Sequence, residues 1–475
     1  MVLSIVEVSQ KQAYIFLSNK LKENIGRSAQ IAWVTSSGFF SKACQGLYNE
    51  ADNLVYAGGG HTVLCFSDET KAKRFNAMLS RVIIEDFPDM EIFAKIMVYD
   101  EGRTPGDNLK QLTSALEVKK ALRRSSFHQG TFGFERIDRT NNFKPARVND
   151  TLTWDDSIKE AEAQIAEGLL PEGYREVARF EDLVKRRVKV NGNYLAVVHI
   201  DGNGMGARTA NLYKKLDAEG VDWETYRQRI RSYSEAIDRD FKDAYKEMLQ
   251  TVADADTQGD YVNLPVRRII TSGDDICFVA DGRIGIEAAR IYIEKLVKKS
   301  NAVDGEQYNA CAGVALVHMK YPFFRAYELA EELCSNAKRK GAMASPEDNG
   351  AGISLIDWHI SYGELRDDLE EERRAYRSAS GRELFARPYL VDGVPSLGKV
   401  CSYAEFLKVS SQIGNESNEG SAAARSRIKS LRSMLKKSDE ELTYYKEFYH
   451  LEKLMENDRG VLFDAIEVMD LFEKI

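Results

Sequence analysis

NYLAVVHIDGNGMG (193–206) and VRRIITSGDDICFVADG (266–282) together decide the fold. The first is an apolar run that ends on Asp201 and enters a turn carrying Gly202, Gly204 and Gly206. The second is a pair of apolar runs around Ser272, Gly273, Asp274 and Asp275, a hairpin signal because glycine supplies the φ > 0 positions of a tight turn. Between them, residues 207–250 have helical character except at AGVDW. Beyond them, IGIEAARIYIEKLVKKS (284–300) has helical spacing and ACAGVALVHMKY (310–321) is a strand. FFRAYELAEELCSNAKRKG (323–341) is a helix for which Gly341 is the expected C-cap. The order is β-α-β-β-α-β, the ferredoxin-like arrangement.

The N-terminal hundred residues follow the same order. LSIVEVSQKQAYIF (3–16) has strand character, KLKENIGRSAQIAWVTSSGFFSKACQGLYNEA (20–51) has helical spacing, and NLVYAGGGHTVLCF (53–66) is a second hairpin. A helix (69–87) and a strand (91–102) complete the unit. The two hairpins superpose with Gly59 over Gly273, and each runs into a strand containing Cys-Phe and then a helix. Gly60 and His61 stand where the other copy has Asp274 and Asp275. An internal duplication with chemistry retained in one copy explains this better than the chance likeness of two hairpins.

The 475 residues suggest several domains. The expected class is α+β: a first ferredoxin-like unit at 1–104, a small linker module at 105–190, a second ferredoxin-like unit at 191–360 in which the chemistry is retained, and a helical domain at 361–475. The linker carries a basic helix (109–126), an irregular stretch (127–151) and an acidic helical segment (154–169). A net charge of −8 argues against a general nucleic-acid binder, though a local basic groove remains compatible. The start of the chain lacks signal-peptide features and no apolar run spans a bilayer, so a cytoplasmic protein without membrane association is expected. The six cysteines form no C-x-x-C pair, against zinc ribbons and disulfide frameworks. The six histidines form no hydrolase motif.

Nucleotidyl transfer needs a 3′-hydroxyl in line with an α-phosphate and an offset for phosphate charge. Two divalent ions roughly 3.5–4 Å apart do both. Such ions need oxygen ligands clustered at one end of a sheet. Asp201, Asp274 and Asp275 supply three carboxylates from two segments that this fold brings side by side. Either motif alone is as often a plain turn or a solvated surface pair. The flanking Gly202, Gly204 and Gly206 let backbone approach phosphates, and Gly273 tightens the hairpin. His199 shares a strand face with Asp201 and either serves the site or packs in the core. Lys338 and Lys340, near the end of the last helix of the second unit, are candidates to neutralise phosphates, against the plainer reading that they complement the helix dipole.

SGDD, DGNGMG, AGVALVH with YPFFRAYELAEELCSNAKRK, SLIDWHI and RPY resemble the large polymerase-cyclase subunit of type III CRISPR systems, and KLKENIGRSAQ with YAGGGH resembles its first palm. The resemblance spans about residues 3 to 390, with a looser match in the helical tail. It implies a nucleotidyltransferase that makes cyclic or linear oligoadenylate second messengers from ATP in antiviral defence. Asp201 would match the first palm aspartate, and Asp274 and Asp275 those of the GGDD motif. Two Mg²⁺ or Mn²⁺ ions would be held by these three, with the backbone of Ile200 or Asn203 completing the shell. Gly58, Gly59, Gly60 and His61 would line the partner palm for a second nucleotide, and Lys338 would contact triphosphate. Ser272 replaces the first glycine of GGDD, and Asn203 replaces a second aspartate common in the family. The family's N-terminal nuclease domain and inter-palm zinc cysteines are missing from the sequence, so DNA cleavage is not expected and a stand-alone relative is. RNA, effector subunits or a second copy are the partners implied. The alternatives are a GGDEF-type cyclic dinucleotide synthase, which normally pairs two single-palm chains, and a catalytically silent palm scaffold.

Overall fold

The computed structural model describes the chain apart from residues 17–19, 88, 123–136, 139–143, 146–167, 176, 178, 184–192, 257–262, 364–367, 399 and 419–421. The irregular stretch and acidic segment of the linker fall almost wholly outside the described residues. Between 123 and 167 only the short ladder of β5 (Ile137–Asp138) and β6 (Lys144–Pro145) is described.

The first sheet has the order β2-β3-β1-β4, built from β1 (Val2–Ser9), β2 (Leu54–Gly58), β3 (His61–Phe66) and β4 (Glu91–Val98), all antiparallel. Side chains alternate across a strand. On β1, Val2, Val6 and Val8 face one core with helices Leu21–Val34 and Glu69–Asp86. Leu3 and Ile5 face another with helices Pro105–Ala121 and Met205–Glu219. The Pro105–Ala121 helix, which the sequence assigned to the linker, buries Leu109, Leu112 and Leu116 against this sheet.

The second sheet has the order β12-β11-β10-β7-β9-β8. Its palm strands are β7 (Tyr194–Gly202), β8 (Val266–Ser272), β9 (Asp275–Asp281) and β10 (Ala310–His318), paired antiparallel as β8-β9-β7-β10, which repeats the first sheet. β11 (Ser354–Ser361) then adds parallel to β10, and β12 (Tyr389–Asp392) antiparallel to β11. The helix after β10 runs Phe323–Ala344, so Gly341 lies inside it rather than closing it. The physical reason is tertiary. A Cβ at Gly341 would sit 3.5 Å from Leu355 Cδ1, and one at Gly350 would lie 2.6 Å from the Gly341 carbonyl carbon. Close packing between helix, strand and loop uses the glycine.

Two elements tie the palms into the rest. The 33-residue helix Trp223–Ala255, capped by Asp222, is about 50 Å long at 1.5 Å per residue. Its first half donates from Arg227, Arg231 and Ser234 to carbonyls of Asp52, Leu54 and Ala57. Its second half places Phe241, Ala244, Tyr245 and Met248 in the second palm's core. The C-terminal helices, from Tyr403–Asn418 to Arg459–Val468, cover that core's outer side. There Arg387, fully buried, pairs with Glu467 at 2.6 Å, while Asp464 accepts from the Tyr389 hydroxyl at 2.8 Å. All six cysteines are buried, and none forms a disulfide. No helix among the described residues is long and apolar enough to cross a membrane.

Candidate active site

The register of β7 and β9 puts Asp201 directly opposite Asp275. Asp274 sits in the adjoining turn, where its carbonyl accepts from Gly202 N at 3.3 Å. A Cβ at Gly202 would lie 3.0 Å from Asp274 Cβ and 2.9 Å from Met205 Cγ, so the position is closed to larger residues. Gly273 turns the hairpin at φ 65°. A Cβ there would stand 3.6 Å from the Gly59 nitrogen, which places the two hairpin tips against each other. Gly59 and Gly60 turn the first hairpin at φ 59° and 76°. Ser272 pairs with Asp275 across the second hairpin.

The remaining residues named from the sequence divide by location. Lys338 Nζ donates to Asp201 Oδ2 at 2.6 Å and to the Gly202 carbonyl at 2.9 Å. Lys340 is exposed and stands about 200° further round the helix. Asn203 is buried and its amide donates to the Ile353 carbonyl at 2.7 Å, pinning the loop that follows the Phe323–Ala344 helix. The Ile200 side chain is fully buried in the core. Gly204, at φ 65°, starts the Met205–Glu219 helix, and Gly206 has open space beside it. His61 faces Glu7 across β1 and β3, its ring 5.5 Å from that of Tyr56, and burial lowers its pKa. A Cβ at Gly58 would meet Ser234 Oγ at 3.0 Å.

The electrostatics of the aspartates follow from crowding. Withdrawal from water and then the charge of Asp201 push Asp274 up to about 6 and Asp275 up to about 7. Burial works to lower the Lys338 pKa, but the charge and hydrogen bond of Asp201 win and raise it. His199 is 6% exposed, its Nδ1 lies 3.4 Å from Asp275 Oδ1, and burial lowers its pKa, so it stands neutral at pH 7. Asp275 Oδ1 is buried without a hydrogen-bond partner. Among the described residues, no group of three or more His, Cys, Asp or Glu is arranged to hold a metal as it stands. Lys338 meets the Asp201 carboxylate instead. An orphaned carboxylate oxygen and two aspartates that resist ionisation are nevertheless what a site for hard cations looks like before the cation offsets its charge.

Residues 194–344 match the family described as Cas10/Cmr2, second palm domain. Residues 194–344 are thus similar to a Cas10-type second palm. Among solved structures, Csm1 from T. onnurineus is similar over 99% of this chain and 69% of its own, at 13% identity and a TM-score of 0.59. A Csm1-Csm4 cassette in complex with cA4 gives 99% and 69% coverage at 14% identity, with a TM-score of 0.57. A cassette in complex with one ATP gives 99% and 70% at 14% identity, with a TM-score of 0.55. The fold shared with Csm1 therefore runs beyond the Cas10-type palm, through both sheets and the C-terminal helices. No curated protein matches the sequence.

Three charged residues beside the aspartates escaped the sequence reading. Lys11, from the first palm, acts on the charges of Asp274 and Asp275. Asp238, on the long helix, accepts from Gly273 N at 3.4 Å. Glu331 adds to the negative field at Asp275. Only Lys11 had a signal available: it follows its strand as Met205 follows β7, four positions after Glu7 and Asp201 respectively.

Proposed function

We propose that this chain is a nucleotidyltransferase that joins ATP into cyclic or linear oligoadenylates at the second palm. The observation that carries the reading is the meeting of Asp201, Asp274 and Asp275 at one sheet end of a Cas10-type palm, with two of them held back from ionisation. Solved structures of the same fold are complexes with ATP and with cA4, which supports adenine nucleotides as the substrate class. In this reading Asp201, Asp274 and Asp275, with the neighbouring backbone, would hold Mg²⁺ or Mn²⁺. Such ions, when bound, would stabilise the charge of the attacking and leaving oxygens in an in-line displacement. Lys338 would leave Asp201 and turn to a phosphate oxygen, an exchange of one anion for another. The glycines of the two abutting tips would let two nucleotides approach, one per palm, with the first palm holding its nucleotide without chemistry. A Csm4-like partner, RNA, or a second copy of the chain belongs to the same proposal, the first because solved relatives are cassettes with Csm4.

One observation favours a second reading, a silent palm scaffold: Lys338 already closes the Asp201 carboxylate, and the Asn203 amide is spent on a loop carbonyl. Incubation of the chain with ATP and Mn²⁺, followed by mass spectrometry, separates the two. Oligoadenylate with released pyrophosphate supports the enzyme, and unchanged ATP under every trigger supports the scaffold.

A further inference from the structure

The two palms carry one frame with opposite charge. Glu7 stands where Asp201 stands, 194 residues earlier, and each faces a site residue on the neighbouring strand, His61 or Asp275. Val8 N donates to the Gly60 carbonyl at 3.1 Å as Gly202 N donates to Asp274 at 3.3 Å. Gln10 and Gly204 both open the next helix in the left-handed region, at φ 49° and 65°. Lys120 Nζ reaches Glu7 Oε1 at 3.0 Å as Lys338 reaches Asp201 at 2.6 Å. Both lysines stand fifteen residues beyond the first residue of their helices, Pro105 and Phe323.

The copies differ where Asp274 would be. Gly60 takes its place, and a Cβ there would lie 2.9 Å from Lys11 Cδ and 3.1 Å from its Nζ. The Lys11 side chain thus fills the space that an aspartate fills in the other palm, and its Nζ donates to the Gly59 carbonyl. Met205 is the counterpart of Lys11 in the second palm. Lys11 and Lys120 stand around Glu7 in the first palm, with Glu117 as a second, more exposed partner of Lys120 at 2.8 Å. In the second palm three carboxylates stand around Lys338. The second palm's sheet end sets one lysine among three carboxylates, and the first palm's sets two lysines about Glu7.

We infer that the first palm binds the polyphosphate of a second nucleoside triphosphate through Lys11, assisted by Lys120, without a divalent ion. This rests on the reading that the first palm holds that nucleotide, and it adds what holds it. Lys11 Nζ donates to the carbonyl of Gly59, the residue that the Gly273 tip abuts, so a polyphosphate bound there sits beside the second palm's hairpin. Lys120 corresponds to the lysine that clamps the carboxylate of the other palm and is released from Glu7 by the same exchange of anions.

The test is calorimetric titration of the full chain with inorganic tripolyphosphate and with ATP in EDTA. Wild type keeps one binding site for each. Lys11→Ala weakens both by about tenfold to a hundredfold, the loss expected for charge-assisted hydrogen bonds. Lys11→Arg retains most of the affinity. Unchanged thermal melting of Lys11→Ala shows that the loss is not unfolding; if that variant melts early, Lys120→Gln in the same titration carries the test. Absence of binding in EDTA with recovery in Mn²⁺ overturns the inference and leaves the proposed function standing. An EDTA-resistant site in a chain that never converts ATP leaves the inference standing and sinks the proposed function. Equal affinity in wild type, Lys11→Ala and Lys120→Gln overturns the inference outright.

Discussion

The first and second palms repeat strand order, hairpin geometry and a helix-borne lysine, and they part at a handful of side chains. Asp201, Asp274 and Asp275 in one become Glu7, Gly60 and His61 in the other, with Lys11 added. Their surroundings also differ. The second sheet gains β11 and β12 and is clamped to the C-terminal helices, whereas β4 ends the first sheet among the described residues. The lesson is that a duplicated scaffold preserves positions more strictly than charges. Backbone pairing dictates where a side chain stands, and only chemistry dictates which one it is.

The largest expected break in this comparison is structural. Asp464 is fully buried and accepts from Tyr389 at 2.8 Å and from the backbone nitrogens of Ala386 and Arg387. Asp464→Ala removes the acceptor of three donors and one of the two carboxylates that face Arg387, the one at 3.7 Å, leaving Glu467 alone. The expected loss is about 3–5 kcal/mol, read by urea unfolding. A loss under about 1 kcal/mol would mean that the clamp on the second palm is ornamental.

A smaller break comes from restoring the aspartate to the first palm. Gly60→Asp puts a side chain at φ 76°, onto Lys11. A cost of about 1–3 kcal/mol by the same measurement is expected, with no gain of activity. Added Mn²⁺ binding in that variant would show that the first palm is one substitution from being a metal site, contrary to the account.

The smallest effect concerns protons. Asp274 and Asp275 titrate near 6 and 7 in the fold, and an aspartate of the unfolded chain near 3.9. The fold therefore binds these protons more tightly than the unfolded chain, and metal-free stability falls as pH rises from about 4 to 7. Asp275→Asn removes one of the charges. Its metal-free Tm should exceed wild type by about 2–4 °C at pH 8 and converge with it at pH 4. Mn²⁺ binding to wild type should strengthen over the same window, as the protons leave. A metal-free Tm for the variant below wild type at pH 8 would contradict the crowding of these carboxylates.

Much of this was legible in the sequence because it is local. Period-two runs and glycine turns announce the strands and hairpins. The shared hairpin pattern announces the duplication, and the carboxylates fall at strand ends that the β-α-β-β-α-β order must bring together. What was not legible is long-range. Gly341 reads as a helix end, yet the helix continues because strand β11 and the Gly350 loop pack on it. The role of Asn203 depends on the Ile353 carbonyl, 150 residues away. The place of Pro105–Ala121 against the first sheet depends on β1 and β4, not on its own composition. The spacing after Glu7 marks Lys11, but not that its charge reaches Asp274 and Asp275 of the opposite hairpin.

The central claim is that the second palm alone carries out the chemistry. Its most direct test is mass spectrometry of the products formed from a mixture of all four nucleoside triphosphates in Mn²⁺, comparing wild type with Asp274→Ala/Asp275→Ala and with Gly60→Ala/His61→Ala. Expected are adenylate oligomers from wild type, a loss of at least about 10³-fold in the aspartate double variant with its fold intact, and residual product from the first-palm variant. Product from the aspartate double variant at the wild-type rate would contradict that claim.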